Sequence, residues 1–142
     1  MILTAACLQN KQIGPLKNQR YFFLLADGCA GHPLPGEDVA AATARRINEE
    51  LGIMREPDEL KHLGHVVYRE DHGDGRCECE WCEVYLAHVE PGELHINQEE
   101  ISEVRRVAPS ELKGYLQGHP EQLAPWLREA LSDPSIRTDL AM

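Results

Sequence analysis

The chain has 142 residues, the length of one compact domain with room for a hydrophobic core. Hydrophobic residues at 42% and charged ones at 27% exclude a membrane-spanning or largely disordered chain. With 24 acidic and 14 basic residues the net charge is −10, which excludes a nucleic-acid surface built from a broad basic patch.

Ile2 to Leu8 is an apolar run of strand length, followed by turn chemistry at Asn10-Lys11, Gly14-Pro15 and Lys17-Asn18, and Tyr21 to Leu25 is a second predicted strand. Gly28 to Gly36 is a loop rich in Gly and Pro. From Asp38 the period changes: Val39, Thr43, Ile47 and Leu51 recur every four residues, predicting an amphipathic helix with acidic residues before it and Gly52 to end it. On that helix Arg45 precedes Glu49, and Arg46 precedes Glu50, at the i,i+4 spacing of neighbours on one face. His62 to Arg69 and Cys77 to Val89 are predicted strands joined by a turn at Asp71–Gly75. In the second, Glu78, Glu80, Cys82 and Val84 share one face, so two carboxylates project in parallel. Val104 to Val107 reads as a short strand. Ser110 is placed to cap a helix, and Pro120 to Leu131 reads as a last helix broken near Pro125. One domain spanning 1–142 is expected, with its tail frayed from about 134.

The acids are not spread evenly. Residues 37–103 hold 18 of them against 6 bases, the pattern of a solvated face or of carboxylates that hold cations. Five cysteines, an odd number, and no signal-peptide-like start lead to the expectation of a cytoplasmic protein with free thiols. Cys77, Cys79 and Cys82 read as strand thiols rather than a zinc site, because no second ligand pair stands at a familiar spacing.

The loop and first helix carry the sharpest signal. Five residues separate Gly31 from Glu37, seven separate Glu37 from Arg45, and Ile47, Glu49, Glu50, Gly52 and Ile53 follow. This resembles the Nudix box at every specified position except the one after the Arg, where Arg46 replaces Glu. The resemblance implies an α/β fold, a Nudix-type α/β/α sandwich around a mixed sheet. It also implies Glu37, Glu49 and Glu50 as ligands of Mg²⁺.

Gly31-His32-Pro33-Leu34, Arg45-Arg46, Glu50-Leu51-Gly52-Ile53, Tyr68, Glu78-x-Glu80 and Cys82, then Asn97 to Glu100 ahead of a strand, further resemble type 1 isopentenyl-diphosphate isomerase over about Cys29 to Leu112. That likeness implies a metal site at His32, Glu78 and Glu80, open to Mn²⁺ or Zn²⁺ as well as Mg²⁺. It further implies Mg²⁺ with a diphosphate at Glu50, and proton transfer by Glu80 beside Tyr68. The family's catalytic Cys falls at Ala30, next to Cys29, and no His precedes His32. An allylic isomerisation needs an acid and a base on opposite faces of the carbon skeleton, so Cys29 would have to stand in. Hydrolysis by a metal-activated water needs only cations, a base such as Glu80 or Glu78, and a cationic clamp such as Arg46. Three functions are therefore expected of such a chain. They are a Mg²⁺-dependent hydrolase of a small diphosphate compound, an isopentenyl-diphosphate isomerase using Cys29, and a non-catalytic diphosphate-binding protein. An uncovered sheet edge also leaves room for a homodimer.

Overall fold

A computed structural model describes the backbone of residues 2–8 and residues 29–90, 92–101, 103–104 and 106–142. The predicted strand at Tyr21–Leu25 lies outside them. Four strands form one mixed sheet: β1 (Ile2–Leu8), β2 (Cys29–Gly31), β3 (Lys61–Asp71) and β4 (Cys77–Ala87), in the order β2-β1-β4-β3. β1 runs parallel to β2 and antiparallel to β4, which is antiparallel to β3.

Period-two alternation along β4 divides the core. Tyr85 and Ala87 join Cys29, Ala44, Ile47, Leu51 and Ile53 beneath helix α1 (Val39–Leu51). Cys82, Val84 and Leu86 join Leu63, Val66 and Tyr68 beneath α3 (Pro125–Ser132) and α4 (Pro134–Asp139). Helices therefore cover both faces, giving the expected α/β/α layering. Ile47 and Leu51 are fully enclosed, each contributing roughly 1.5–3 kcal/mol of apolar burial.

Two glycines shape this frame. Gly52 closes α1 in the left-handed region (φ 67°), and the last helical carbonyls, Glu50 and Leu51, accept the N–H groups of Asn97 (2.8 Å) and His95 (2.8 Å). At Gly64 (φ 132°) β3 carries a bulge: His62 stands opposite Tyr85 and Gly64 opposite Val84, leaving Leu63 as an extra residue. That insertion allows Leu63, Val66 and Tyr68 to share the α3 side.

Several local expectations are corrected. Residues 103–104 and 106–108 are not a strand. Helix α2 (Pro109–Gly118) is entered through Ala108, with Pro109 at its first position, so Ser110 lies inside the first turn and does not cap it. The break at Pro125 is present, between a 3₁₀ turn at Pro120–Gln122 and α3. Residues 134–139, expected to fray, form α4: the Asp133 carboxylate caps it through Ser135 N–H (2.7 Å), and Ile136 is 1% exposed. Cys82 is disulfide-bonded, which departs from the expectation of free thiols. No helix among the described residues is long and apolar enough to cross a membrane.

Candidate active site

A cleft of about 430 Å³ opens where β2, the middle of α1, one face of the β3–β4 hairpin and α3 meet. Ala30, Gly31, His32 and Leu34 line it from the β2 loop, Arg45 and Arg46 from α1, Tyr68, Glu78 and Glu80 from the hairpin, and Trp126 from α3. The sheet register sets the hairpin part, with Tyr68 opposite Glu80 and Glu70 opposite Glu78.

Tyr68 is 3% exposed, and its hydroxyl donates to Glu78 Oε1 at close range and lies 3.0 Å from Glu80 Oε2. Burial, the hydrogen bond to Glu78 and the charge on Glu80 push the phenol far above its ordinary range, so it stays protonated. A phenol has one proton to donate, so only one of the two carboxylates receives it at a time. Glu80 Oε1 lies 3.3 Å from His32 Nε2, and Glu78 Oε2 lies 3.4 Å from His72 Nε2. Among the described residues no Lys or Arg pairs with Glu78 or Glu80. Two adjacent carboxylates with one neutral hydroxyl and two imidazoles match the oxygen and nitrogen donor chemistry of a divalent cation. As they stand, no three His, Cys, Asp or Glu side chains among the described residues are gathered into a metal shell.

The carboxylates of the box are arranged differently. Glu37 accepts from Arg45 Nε (2.8 Å), Arg45 Nη2 (2.9 Å) and the Leu34 N–H (2.7 Å), which hold it down to about 2. Arg45 also donates to the His32 carbonyl (3.3 Å) and to Glu49, bracing the loop on the helix. Arg46 lies across Gly31, where an added Cβ would come 2.7 Å from its Nε. Its guanidinium pairs with Glu49 (2.8 Å), with Glu100 (2.9 Å) and closely with Glu50, while its Nε is buried without a hydrogen-bond partner. Burial pushes Glu50 up to about 7 against the opposing pull of Arg46. Glu37 and Glu49 are thus tied to guanidinium groups, and Glu50 is the buried member of the set.

The structure brings His32, Arg46, Tyr68, Glu78 and Glu80 to one cleft, with Glu50 behind Arg46. It does not bring Cys29 there. Neighbouring residues on a strand face opposite sides. Ala30 lines the cleft, while Cys29 is 4% exposed in the core under α1, so the reading of Cys29 as a cleft acid is corrected. Glu100, at the end of the Asn97–Glu100 segment of the resemblance, pairs with Arg46, and two residues not singled out from sequence also meet here: Trp126, whose ring centroid is 5.9 Å from that of Tyr68, and His72 on Glu78. His72 was open to detection, since it sits in the hairpin turn just beyond the strand position opposite Glu78.

The sequence is similar to that of known proteins. The NUDIX domain family matches residues 7–132. Isopentenyl-diphosphate delta-isomerase of Nocardia farcinica is 38% identical over 113 residues, covering 79% of this chain and 62% of that protein. The proteins of the same name from Rhodobacter capsulatus (36% over 106 residues; 74% and 59%) and Dinoroseobacter shibae (37% over 116; 80% and 64%) are comparably similar. The chain spans about three fifths of the length of these curated relatives. A match extending from before the β2 loop into the last turn of α3, on the layered sheet and box described above, establishes that the chain belongs to the NUDIX domain family.

Proposed function

We propose that this chain hydrolyses a small diphosphate-containing compound with the help of divalent cations, Mg²⁺ in the first instance. The observation that carries this reading is the meeting, in one cleft, of the Arg46 guanidinium with the Tyr68, Glu78, Glu80 and His32 cluster. His32, Glu78 and Glu80 would hold one ion, and Glu50 a second that arrives with the diphosphate. Such ions supply Lewis-acid stabilisation of phosphoryl charge.

Arg46 exchanges part of its carboxylate contacts for non-bridging phosphate oxygens, a geometry the planar guanidinium suits. Glu37 and Glu49 act through the arginines, keeping Arg45 on the loop and Arg46 aimed across Gly31. Glu80 accepts a proton from the attacking water. The water oxygen bonds to phosphorus, and the bond from that phosphorus to the bridging oxygen breaks, leaving two phosphate-bearing products or a phosphate and an organic monophosphate. Tyr68 keeps its proton: it donates to Glu78 at rest and, 3.0 Å from Glu80 Oε2, is placed to turn that hydrogen bond to Glu80 during the reaction. Trp126 and Leu34 offer an apolar wall to the organic part of the substrate.

A second reading, isomerisation of isopentenyl diphosphate, is supported by the names of the relatives at 36–38% identity. It needs an acid on the face opposite Glu80 and Tyr68, where this chain has Ala30. One assay set separates the two: incubation with Mg²⁺ and either a panel of nucleoside diphosphate derivatives or isopentenyl diphosphate in deuterated water. Release of phosphate or monophosphate is expected. Deuterium entering the allylic positions without phosphate release would overturn the hydrolase reading in favour of isomerisation. Silence in both, with diphosphate still bound, would leave the non-catalytic binding protein.

A further inference from the structure

We propose that His72 is a positioning residue that fixes the Glu78 carboxylate for cation binding. The inference rests on the reading of Glu78 as a cation ligand and adds a residue to that site. Glu78 uses both oxygens: Oε1 accepts from Tyr68, and Oε2 lies 3.4 Å from His72 Nε2. A hydrogen bond on one oxygen and an imidazole nitrogen close to the other restrict the rotation of the carboxylate plane more than a single contact does.

The hairpin turn is constructed to hold His72 in this place. Its own N–H donates to the Arg76 carbonyl (3.0 Å), closing the loop across the strand ends. Asp71 Oδ1 accepts the Gly73 N–H (2.8 Å), and Asp74 takes both the N–H (3.1 Å) and the guanidinium (2.6 Å) of Arg76. Around it the turn residues 73–76 are exposed, yet the His72 side chain is 17% exposed and folded back toward Glu78. Glu70, directly across the ladder from Glu78, adds a like charge that disfavours this placement of the Glu78 carboxylate. An imidazole on the far oxygen counters that repulsion. Hydrogen-bond partners of ligating carboxylates and imidazoles change metal affinity by about 10- to 100-fold when removed.

The test is Mn²⁺ binding, measured by calorimetry and by the electron spin resonance of free Mn²⁺ on the substrate-free full chain. His72→Ala, His72→Gln and Glu78→Gln are compared with the unmodified protein, and circular dichroism checks that each folds. His72→Ala is expected to weaken Mn²⁺ binding by about 10- to 100-fold. His72→Gln, whose amide nitrogen can reach where Nε2 lies, is expected to restore affinity to within a few-fold. Unmodified affinity in His72→Ala with loss in Glu78→Gln would overturn the role of His72 and leave the cation site standing. Equal losses in His72→Ala and His72→Gln would overturn positioning by a polar nitrogen set beside Oε2. Absence of Mn²⁺ binding by the unmodified protein would overturn the cation site and this inference together.

Discussion

Replacing Glu50 by Gln tests the electrostatics of the box without changing its shape. The carboxyl is buried beside Arg46, and burial lifts it from 4.5 to about 7 in spite of the guanidinium. At 1.36 kcal/mol per pH unit that change corresponds to about 3 kcal/mol. The folded state holds this proton more tightly than the unfolded chain does, so between about pH 4.5 and 7 folding is accompanied by proton uptake. Stability from this group is therefore fully present below pH 4.5 and is lost as the pH rises through 7. Gln keeps an oxygen acceptor for Arg46 and cannot ionise. Urea unfolding followed by circular dichroism, in EDTA at pH steps from 4.5 to 8.5, gives the stability of each protein. The difference between unmodified and Glu50→Gln protein is expected to fall by up to about 3 kcal/mol across the window and to be flat outside it. A difference that stays flat across the window, or rises with pH, would refute the assignment of Glu50 as a desolvated carboxyl.

Further expectations follow from particular contacts. Gly52→Ala places a side chain at φ 67° with its Cβ 2.6 Å from the Cβ of His95. The unfavourable backbone and the overlap together should cost about 2–5 kcal/mol, read as a lower urea midpoint. Tyr68→Phe removes the hydroxyl shared by Glu78 and Glu80, and kcat for diphosphate hydrolysis should fall by about 10- to 100-fold, the loss on removing a partner that orients a working carboxylate; an unchanged kcat would remove Tyr68 from the positioning of Glu80. Cys29→Ala, which alters only the core under α1, should cost about 1 kcal/mol of stability and leave turnover intact. Loss of turnover in folded Cys29→Ala would return that thiol to the reaction.

Legibility from sequence followed the strength of local periodicity. Helix α1 and its ends were readable because Val39, Thr43, Ile47 and Leu51 repeat at helical spacing and both ends carry recognisable caps at Asp38 and Gly52. Glu78 and Glu80 were placed together because a strand puts alternate residues on one face. Cys29 and Ala30 obey the same rule, but they read as part of a Gly- and Pro-rich loop, and only their pairing with β1 shows that alternation applies there. The pairing of the box carboxylates was half visible: Arg45 with Glu49 and Arg46 with Glu50 follow from i,i+4 spacing, whereas Glu100, marked only by the resemblance, reaches Arg46 from 54 residues away, a pairing that no local spacing predicts. Helix α4 did have a signal, Asp133 before Pro134, which is a cap followed by a favoured first helical residue. The run Val104–Val107 had apolar residues but no partner strand among the described residues, and composition alone does not supply one.

The extra residue at Leu63 acts on β3 as a frameshift acts on a message. In an unbroken ladder starting from the pairing of His62 with Tyr85, every later residue would slide by one, and Tyr68 would face Cys79 on the side of Trp81. The cleft would then receive Val67 and Arg69, and the two glutamates of β4 would lose their shared phenol. The active-site face of this hairpin is thus written upstream, in a bulge at Leu63 and Gly64 that lies outside the cleft lining. Closing the bulge by sliding the intact β3 one residue along β4 would exchange the chemical contents of the sheet's two faces, whereas deleting Leu63 would close it and keep Tyr68 opposite Glu80.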